Sequence, residues 1–466
     1  LTDTRTYQFR LFKGTETRRL VEIGLDDTDS RTGMCTTFIA HRLVERLLNM
    51  GTTVEDYPRL IRLNPNIPWK TRGNGAVALR LGTEDVDTVF RVTCDTVEQY
   101  SETGKGADPG VVASTYETAP QDIKKFAKRA ISELVTRKEA VHLMEKHDMR
   151  FKGWGKQRGL IGALAAIGSH EMNDQTFELI AFRVEENWVV KRKVSHSSVW
   201  NMSIKTKPYT FNSFDDEKNR VLITPRGHDP VLLGIRGENP KTLHSAYRMV
   251  KVGEDVSGYM IFKTNQGTGA HLEPELDPST LKAYRSGHLK GTVSKKPWTG
   301  RGGHVYLEAE NGRGTFTCAA YEPTGNFRKA VLQLIPGDLV EMGGSIRKKS
   351  RKHGAVINLE YLNVMELATD TLVSNPLCHS CGKRMTSQGQ GQGYRCDTCG
   401  FKDPAAKKIA IEKPRVIQRG VYLPPPRAQR HLTRPLHRYH YNNRGITKLI
   451  NGWFEPKSLT ADPRLK

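Results

Sequence analysis

The chain has 466 residues, with 72 lysines and arginines against 50 acids for a formal net charge of +22. Such a length suits roughly three to four domains rather than one growing core, and the charge favours a polyanionic partner, nucleic acid first, because each cation that neutralises a phosphate releases a counterion. The longest apolar run, GLIGALAAIG at 159–168, is too short to cross a bilayer and no signal segment opens the chain, so a soluble, cytoplasmic protein with no membrane partner is expected.

Residues 1–19 are polar and without clear periodicity, and read as an extension. From Leu20 to Leu25 an apolar strand is expected, then a helix whose Ala40, Leu43, Val44, Leu47 and Leu48 recur at helical spacing and which stops at Gly51. RLIRL at 59–63 and AVALRL at 76–81 read as strands around the loop NPNIPWKTRGNG. A long amphipathic helix with Ile123, Phe126, Ala130, Ile131 and Leu134 on one stripe closes a first α/β domain, 20–145. A glycine-rich run then leads into a helix and the strand TFELIAFRV, opening a second α/β unit, 146–268. A polar, proline-containing linker is expected at 269–284. HVYLEAE, GTFTCAAYE, DLVEMGGSIRK and AVINLEYLNV are short strands separated by turn residues, at spacings that suit a small OB-type barrel over 285–368. A cysteine knuckle follows at 374–402, then a basic tail, 403–466, with only four acids after Lys402.

The sharpest motif is CHSC at 378–381 with CDTC at 396–399. Two CxxC pairs let Cys378, Cys381, Cys396 and Cys399 converge on one tetrahedral Zn²⁺, and Gly382 and Gly400 suit the tight turns of a zinc ribbon with no open coordination position. Cys35, Cys94 and Cys318 read as buried free thiols. In the barrel segment Trp298, Tyr306, Phe316 and Tyr321 accompany Lys295, Lys296, Arg301 and the run RKKSRKH at 347–353. That combination fits single-stranded nucleic acid held by stacking and a basic groove, with Phe316 assigned to the core.

GLDDTDS puts Asp26, Asp27 and Asp29 at the end of the first strand. Carboxylates there can hold Mg²⁺ beside nucleotide phosphates, with the next helix offering free N–H groups. They can equally be turn residues, with Thr36 or Thr37 as an ordinary N-cap. Mutual repulsion between three close acids favours the cation reading. No GxxxxGK[ST] occurs, so ATP phosphates would need another cradle, and WKTRGNG offers Lys70, Arg72, Gly73 and Asn74.

The segments GLDDTDSRTGMCTT, NPNIPWKTRGNGA, KGWGKQRGLIGALAAIG, GHDPVLLGIRGE, CAAYEPTGNFR, the CHSC/CDTC ribbon and YLPPPRAQRHLTRPL together resemble the archaeal tRNA agmatidine synthetases, in order, from about residue 20 to about 436. The resemblance implies a multidomain α/β and α+β chain: a kinase-like domain, a ferredoxin-like domain, an OB barrel and a zinc ribbon. It implies an enzyme that uses ATP, cleaved to AMP and pyrophosphate, to join agmatine to carbon 2 of the wobble cytidine of an isoleucine tRNA with a CAU anticodon. By position it puts the family's acidic cluster on Asp26, Asp27 and Asp29 and its autophosphorylated threonine on Thr36. For the agmatine guanidinium a carboxylate is needed and Asp229 is expected, the alternative being a turn residue ahead of Pro230. The rival readings are a non-catalytic OB and ribbon protein that binds RNA, and a Mg²⁺-dependent nuclease using the same aspartates.

Overall fold

The computed structural model describes residues 18–71, 73–348, 354–445 and 448–456. Arg72, nearly all of the expected extension and residues 349–353 of the basic run lie outside them. The chain forms two compact units. One takes the chain up to Pro274, Tyr284–Ser286 and everything from Gln429; the other takes Glu275–Ala283 and Gly287–Ala428.

The first unit is built on one mixed sheet. Its first half contains β1 (Arg19–Asp26), α1 (Thr36–Asn49), β2 (Thr53–Val54), β3 (Arg59–Arg62), β4 (Gly75–Thr83), α2 (Val86–Tyr100), β5 (Gly110–Ser114), α3 (Gln121–Ser132), α4 (Arg137–Lys146), β6 (Arg150–Gly153) and α5 (Gly159–Gly168). The second half contains β7 (Thr176–Arg183), α6 (His196–Thr206), β8 (Thr210–Phe211), the ribbon β9 (Phe214–Asp215) and β10 (Arg220–Val221), β11 (Val231–Gly237), α7 (Pro240–Met249) and β12 (Val256–Thr264). The strand order β6-β5-β1-β4-β3-β12-β7-β11-β8 runs through both halves. Within the second half, β12-β7-β11-β8 with two crossing helices is the ferredoxin-like arrangement. The halves join where β3 lies parallel to β12; the other pairings in the sheet are antiparallel.

Strand periodicity sorts the core onto two faces. Val21, Ile23 and Leu25 of β1 enter one core with Phe38, Leu43 and Leu47 of α1 and Val199 and Leu243 of α6 and α7. Ala76, Ala78 and Val112 enter the other, under Ile123 and Phe126 of α3 and Leu160 and Leu164 of α5. Each such leucine or isoleucine contributes about 1.5–3 kcal/mol relative to exposure.

The expected long helix divides instead: α3 ends at Ser132, Leu134 is left 43% exposed, and α4 restarts behind its Thr136 cap, whose side chain accepts from Glu139 N. The described residues after 403 do not form a free tail. Leu432 and Trp453 are buried in the two cores, and Arg438, fully buried, pairs with Asp174 (2.5 Å) and with Glu238. A guanidinium can be buried that way only because two carboxylates answer its donors.

The second unit is a closed barrel of β13 (Ser286–Thr299), β14 (Val305–Asn311), β15 (Gly314–Ala320), β16 (Leu339–Ile346) and β17 (Val356–Glu366), with α8 (Asn326–Leu332) between β15 and β16. Its order β15-β14-β13-β16-β17, closed by a parallel β15–β17 pairing, is the OB topology. Residues expected as linker help build it, since Leu276 is 2% exposed in the barrel core. β18 (Asp370–Ser374) pairs with β22 (Ile409–Lys413) around the knuckle strands β19 (Thr386–Ser387), β20 (Tyr394–Arg395) and β21 (Lys402–Asp403).

Candidate active site

The side-chain alternation of β1 sends Glu22, Gly24 and Asp26 to the face covered by α5. A Cβ on Gly24 would overlap the carbonyl of Ala163, and one on Gly159 would overlap the Asp26 carbonyl, so helix and strand backbones are nearly in contact. Gly162 matters most, because a Cβ there would overlap Asp26 Oδ2. The glycines of GLIG therefore make room for an acidic side chain. Burial, reinforced by Asp27, pushes the Asp26 carboxyl well above the usual carboxylate range.

Past the strand the backbone turns through Asp27 at φ 56°, a left-handed conformation that aspartate tolerates better than most residues. Arg158 lies between Asp27 Oδ2 (3.5 Å) and Asp108 Oδ2 (2.8 Å). Its Nε–H is aimed at neither oxygen, so these are ion pairs rather than hydrogen bonds. Burial still raises the Asp27 carboxyl to about 6, with Arg158 opposing and Asp29 and Asp108 adding to the shift. Asp29 Oδ1 accepts from Thr71 Oγ1 (2.9 Å), which ties the acidic loop to WKTRGNG. On the other side Ser30 Oγ donates to Glu102, and Glu102 N to Thr28 O (3.3 Å).

The cap of α1 differs from expectation. Cys35 occupies the N-cap with extended backbone and no capping side-chain bond, and Thr36 is the first helical residue. Thr36 Oγ1 instead accepts from Thr28 Oγ1 at 3.0 Å, in a buried contact. Cys94 and Cys318 are buried as expected; Cys35 is half-buried.

A cleft of about 490 Å³ is lined by Asp26, Asp27, Asp29, Thr36, Lys70, Gly73, Asn74 and Asp229. Every expected aspartate, threonine and loop residue that the structure describes thus faces one space. Asn74 holds its loop with φ 49°, donating through Nδ2 to Asn64 O (2.9 Å). Burial and Arg430 lower the Lys70 ammonium's pKa. Asp229 is 2% exposed, and its Oδ1 accepts from Arg192 Nη2 (3.0 Å) and Val231 N (2.8 Å).

Sequence reasoning missed the wall facing these residues. Glu178 on β7 sits opposite Arg236 on β11 in the strand register and accepts from Arg236 Nε (3.3 Å), Arg62 Nη2 (3.4 Å) and Gln266 Nε2. Arg158, Asp108 and His431 went equally unremarked. Within FELI and GIRGE the two charged residues read as ordinary strand positions, and only the register reveals the pair.

The aspartates do not form a ready-made ligand cage. Among the described residues, the group of three or more potential ligands whose donor atoms converge is Cys378, Cys381, Cys396 and Cys399, all within 4.8 Å of one another. Mg²⁺ is commonly held by one or two carboxylates plus waters and substrate phosphates, so three carboxylates on one cleft wall suit an ion that arrives with a nucleotide. The cysteines fit zinc closely. Four sulfurs at Zn–S of about 2.3 Å stand about 3.8 Å apart in a tetrahedron, and here Cys378 and Cys399 are 3.5 Å apart, Cys381 and Cys396 3.4 Å. Gly382 (φ 70°) and Gly400 (φ 77°) close the two knuckles, their N–H groups donating to the carbonyls of Cys378 and Cys396.

On the barrel Trp298 and Tyr306 stack at 5.7 Å with rings 21° apart, Trp298 being 42% exposed, while Phe316 is core. Tyr321 Oη donates to Asn358 (2.9 Å) and accepts from Arg347 (3.4 Å).

Models described as the TiaS TCKD domain, the TiaS FLD domain and the TiaS C-terminal zinc ribbon domain match residues 22–156, 157–271 and 375–417. The isoleucine-tRNA 2-agmatinylcytidine synthetase TiaS of Cenarchaeum symbiosum is 40% identical over 92% of this chain and 94% of its own length. Its counterpart in Archaeoglobus fulgidus is 40% identical over 91% and 99%. Two crystal structures of TiaS bound to its isoleucine tRNA, one with ATP and one with AMPCPP and agmatine, superpose with TM-scores of 0.82 and 0.79. They are 39% and 36% identical, each covering 92% of this chain and all of the other. The chain belongs to the TiaS family.

Proposed function

We propose that this chain is an ATP-dependent ligase that joins agmatine to carbon 2 of the wobble cytidine of the CAU-anticodon isoleucine tRNA, forming agmatidine, and works in the cytoplasm. The observation that carries the reading is the convergence of Asp26, Asp27, Asp29, Thr36, Lys70, Gly73 and Asn74 on one cleft in a chain of this family. No described helix is long and apolar enough to cross a membrane.

The chemistry requires activation. A carbonyl oxygen is a poor leaving group; once it is phosphorylated from ATP, the agmatine amine can attack carbon 2 and the oxygen departs as phosphate, so one hard displacement becomes two easier ones. Asp26, Asp27 and Asp29 would hold Mg²⁺, which when bound offsets the negative charge of the triphosphate. Lys70, Arg72 and the backbone at Gly73 and Asn74 cradle the phosphates. Thr36 receives a phosphoryl group; its Oγ1 is kept in place by the Thr28 hydroxyl. The agmatine guanidinium is assigned to Asp229, which it would share with Arg192. Reaching the cleft requires the wobble base to leave its stack, and the Trp298–Tyr306 pair with the neighbouring cations on the barrel binds the rest of the RNA.

The test is incubation with ATP, Mg²⁺, radiolabelled agmatine and the CAU-anticodon tRNA. Label in the tRNA is expected. ATP-independent strand cleavage would favour the nuclease, and tRNA binding with neither reaction the non-catalytic protein. With γ-labelled ATP, Thr36→Ala is expected to lose self-labelling; undiminished labelling would move the acceptor to another residue.

A further inference from the structure

The cleft contains one side chain that reaches it from the far end of the chain. After the barrel and ribbon the polypeptide returns to the first unit, and His431 lines the same cavity as the aspartates. Two neighbours of the ring compete over where its proton sits. Arg236 Nη2 directs an N–H at His431 Nδ1 from 2.8 Å, and a guanidinium only donates, so Nδ1 must accept. Gln266 Oε1, an acceptor 3.0 Å from the same nitrogen, asks for a proton there instead, but the shorter, charge-assisted contact from the guanidinium outweighs a neutral amide. A neutral ring with Nδ1 as acceptor carries its hydrogen on Nε2.

That hydrogen belongs to the nitrogen nearest the phosphate-cradle loop. Nε2 lies 3.2 Å from where a Cβ would stand on Gly73, and the same Cβ would overlap Arg62 Nη1, so the loop is glycine where it passes over these two groups. The local charge suits an anion. Burial holds the His431 pKa well below the usual histidine value, and Arg62, Arg236 and Lys70 push it in the same direction. Glu178 answers the two arginines. Two arginines and a lysine against one carboxylate leave an excess of positive charge around a neutral donor.

We infer that His431 is a nucleotide-binding residue whose Nε2–H donates to a phosphoryl oxygen of ATP, so that the C-terminal return completes the nucleotide site. This rests on the ATP reading of the cleft.

The experiment titrates a non-hydrolysable ATP analogue with Mg²⁺, and separately the tRNA, into the full-length protein, His431→Phe and His431→Gln. The phenylalanine keeps the ring's bulk without a donor, and glutamine restores an N–H. His431→Phe is expected to raise the Kd for the analogue about 10-fold or more, as for a lost hydrogen bond to a charged group. His431→Gln should recover much of that affinity, and tRNA affinity should stay unchanged in both. Analogue affinity equal to that of the unmodified chain in His431→Phe overturns the inference, as does a loss confined to tRNA. If the phenylalanine variant melts early, His431→Leu, equally without a donor, takes its place: a rise in Kd of the same size that His431→Gln largely recovers supports the inference, and affinity equal to that of the unmodified chain overturns it. If the unmodified protein does not bind the analogue at all, the ATP reading itself fails, a different result from a chain that binds it without His431.

Discussion

The zinc ribbon and the cleft are both chemical sites marked by short motifs, yet they are assembled in opposite ways. The ribbon draws its four ligands from one stretch, 378–399, and they already converge to within 4.8 Å. The cleft gathers residues from Asp26 to His431, and its three aspartates face a common space without forming a ligand set. A ribbon this small buries little and depends on its metal for a fold. The cleft rests on a large two-faced core.

The largest expected effect breaks the ribbon alone. Cys378→Ser removes one of four thiolates from a site with no spare ligand, and structural zinc contributes on the order of 10 kcal/mol to such a module. Metal analysis is expected to find the zinc lost, with binding of an ATP analogue retained by the first unit. Unchanged zinc content would mean that the four sulfurs are not the ligands. Next in size is Asp29→Asn, which keeps the acceptor for Thr71 but removes a charge. Agmatine incorporation is expected to fall about 100-fold or more, in line with several kcal/mol of lost charge stabilisation through a metal. A fall of only a few-fold would return the aspartates to the turn-residue reading.

Much of this contrast was legible beforehand, and what was not shares a physical cause. The ribbon, α1, β3, β4, β7 and four barrel strands announce themselves through local spacing. α2 did not, because VDTVFRVTCDTVEQY is rich in β-branched residues that favour strands, and it is held as a helix by its Asp85 cap and a buried Val89–Val97 face. The split between α3 and α4 hides in one apolar stripe, with Leu134 counted on a helix that has already ended. Glu178, Arg236 and His431 carry no local signal, since their pairing depends on sheet register and on a segment that returns after the barrel. The acidic loop was visible as chemistry; the wall facing it was visible only as structure.

Gly162→Ala sharpens the comparison by disturbing the cleft through its support. The new methyl cannot occupy the position of Asp26 Oδ2, so either the aspartate or α5 must move. Overpacking of this kind costs about 1–3 kcal/mol. The expected result is a loss of agmatine incorporation larger than that stability cost explains, with zinc content unchanged. Activity that falls only in step with the folded fraction would show that Asp26 need not stand where α5 puts it.

The smallest effect concerns the core that keeps the cleft preformed. His41 on α1 is fully buried against Phe182 (5.0 Å) and Phe454 (4.9 Å), and its Nε2 donates to Glu455 O at 2.9 Å. Nδ1 then holds a lone pair with no hydrogen-bond partner, and a proton placed there would carry charge into aromatic surroundings. Burial accordingly lowers the pKa from 6.5 to about 3. The sign follows from linkage: between those values the unfolded chain binds a proton that the folded chain refuses, so stability is full above about 6.5 and declines as the pH falls. The slope is at most about 1.4 kcal/mol per pH unit for this group. His170, lowered to about 4 mainly by burial, adds a similar decline in the same window. The raised Asp26 and Asp27 carboxyls take up protons in the folded chain over the same range and act in the opposite sense, so the measurement is a difference: in thermal melts from pH 7.5 to 5, His41→Phe is expected to gain in Tm relative to the unmodified protein as the pH falls below 6.5. Parallel curves for the two proteins would mean that His41 takes up its proton while folded, and that the core beneath α1 is more open than its packing implies.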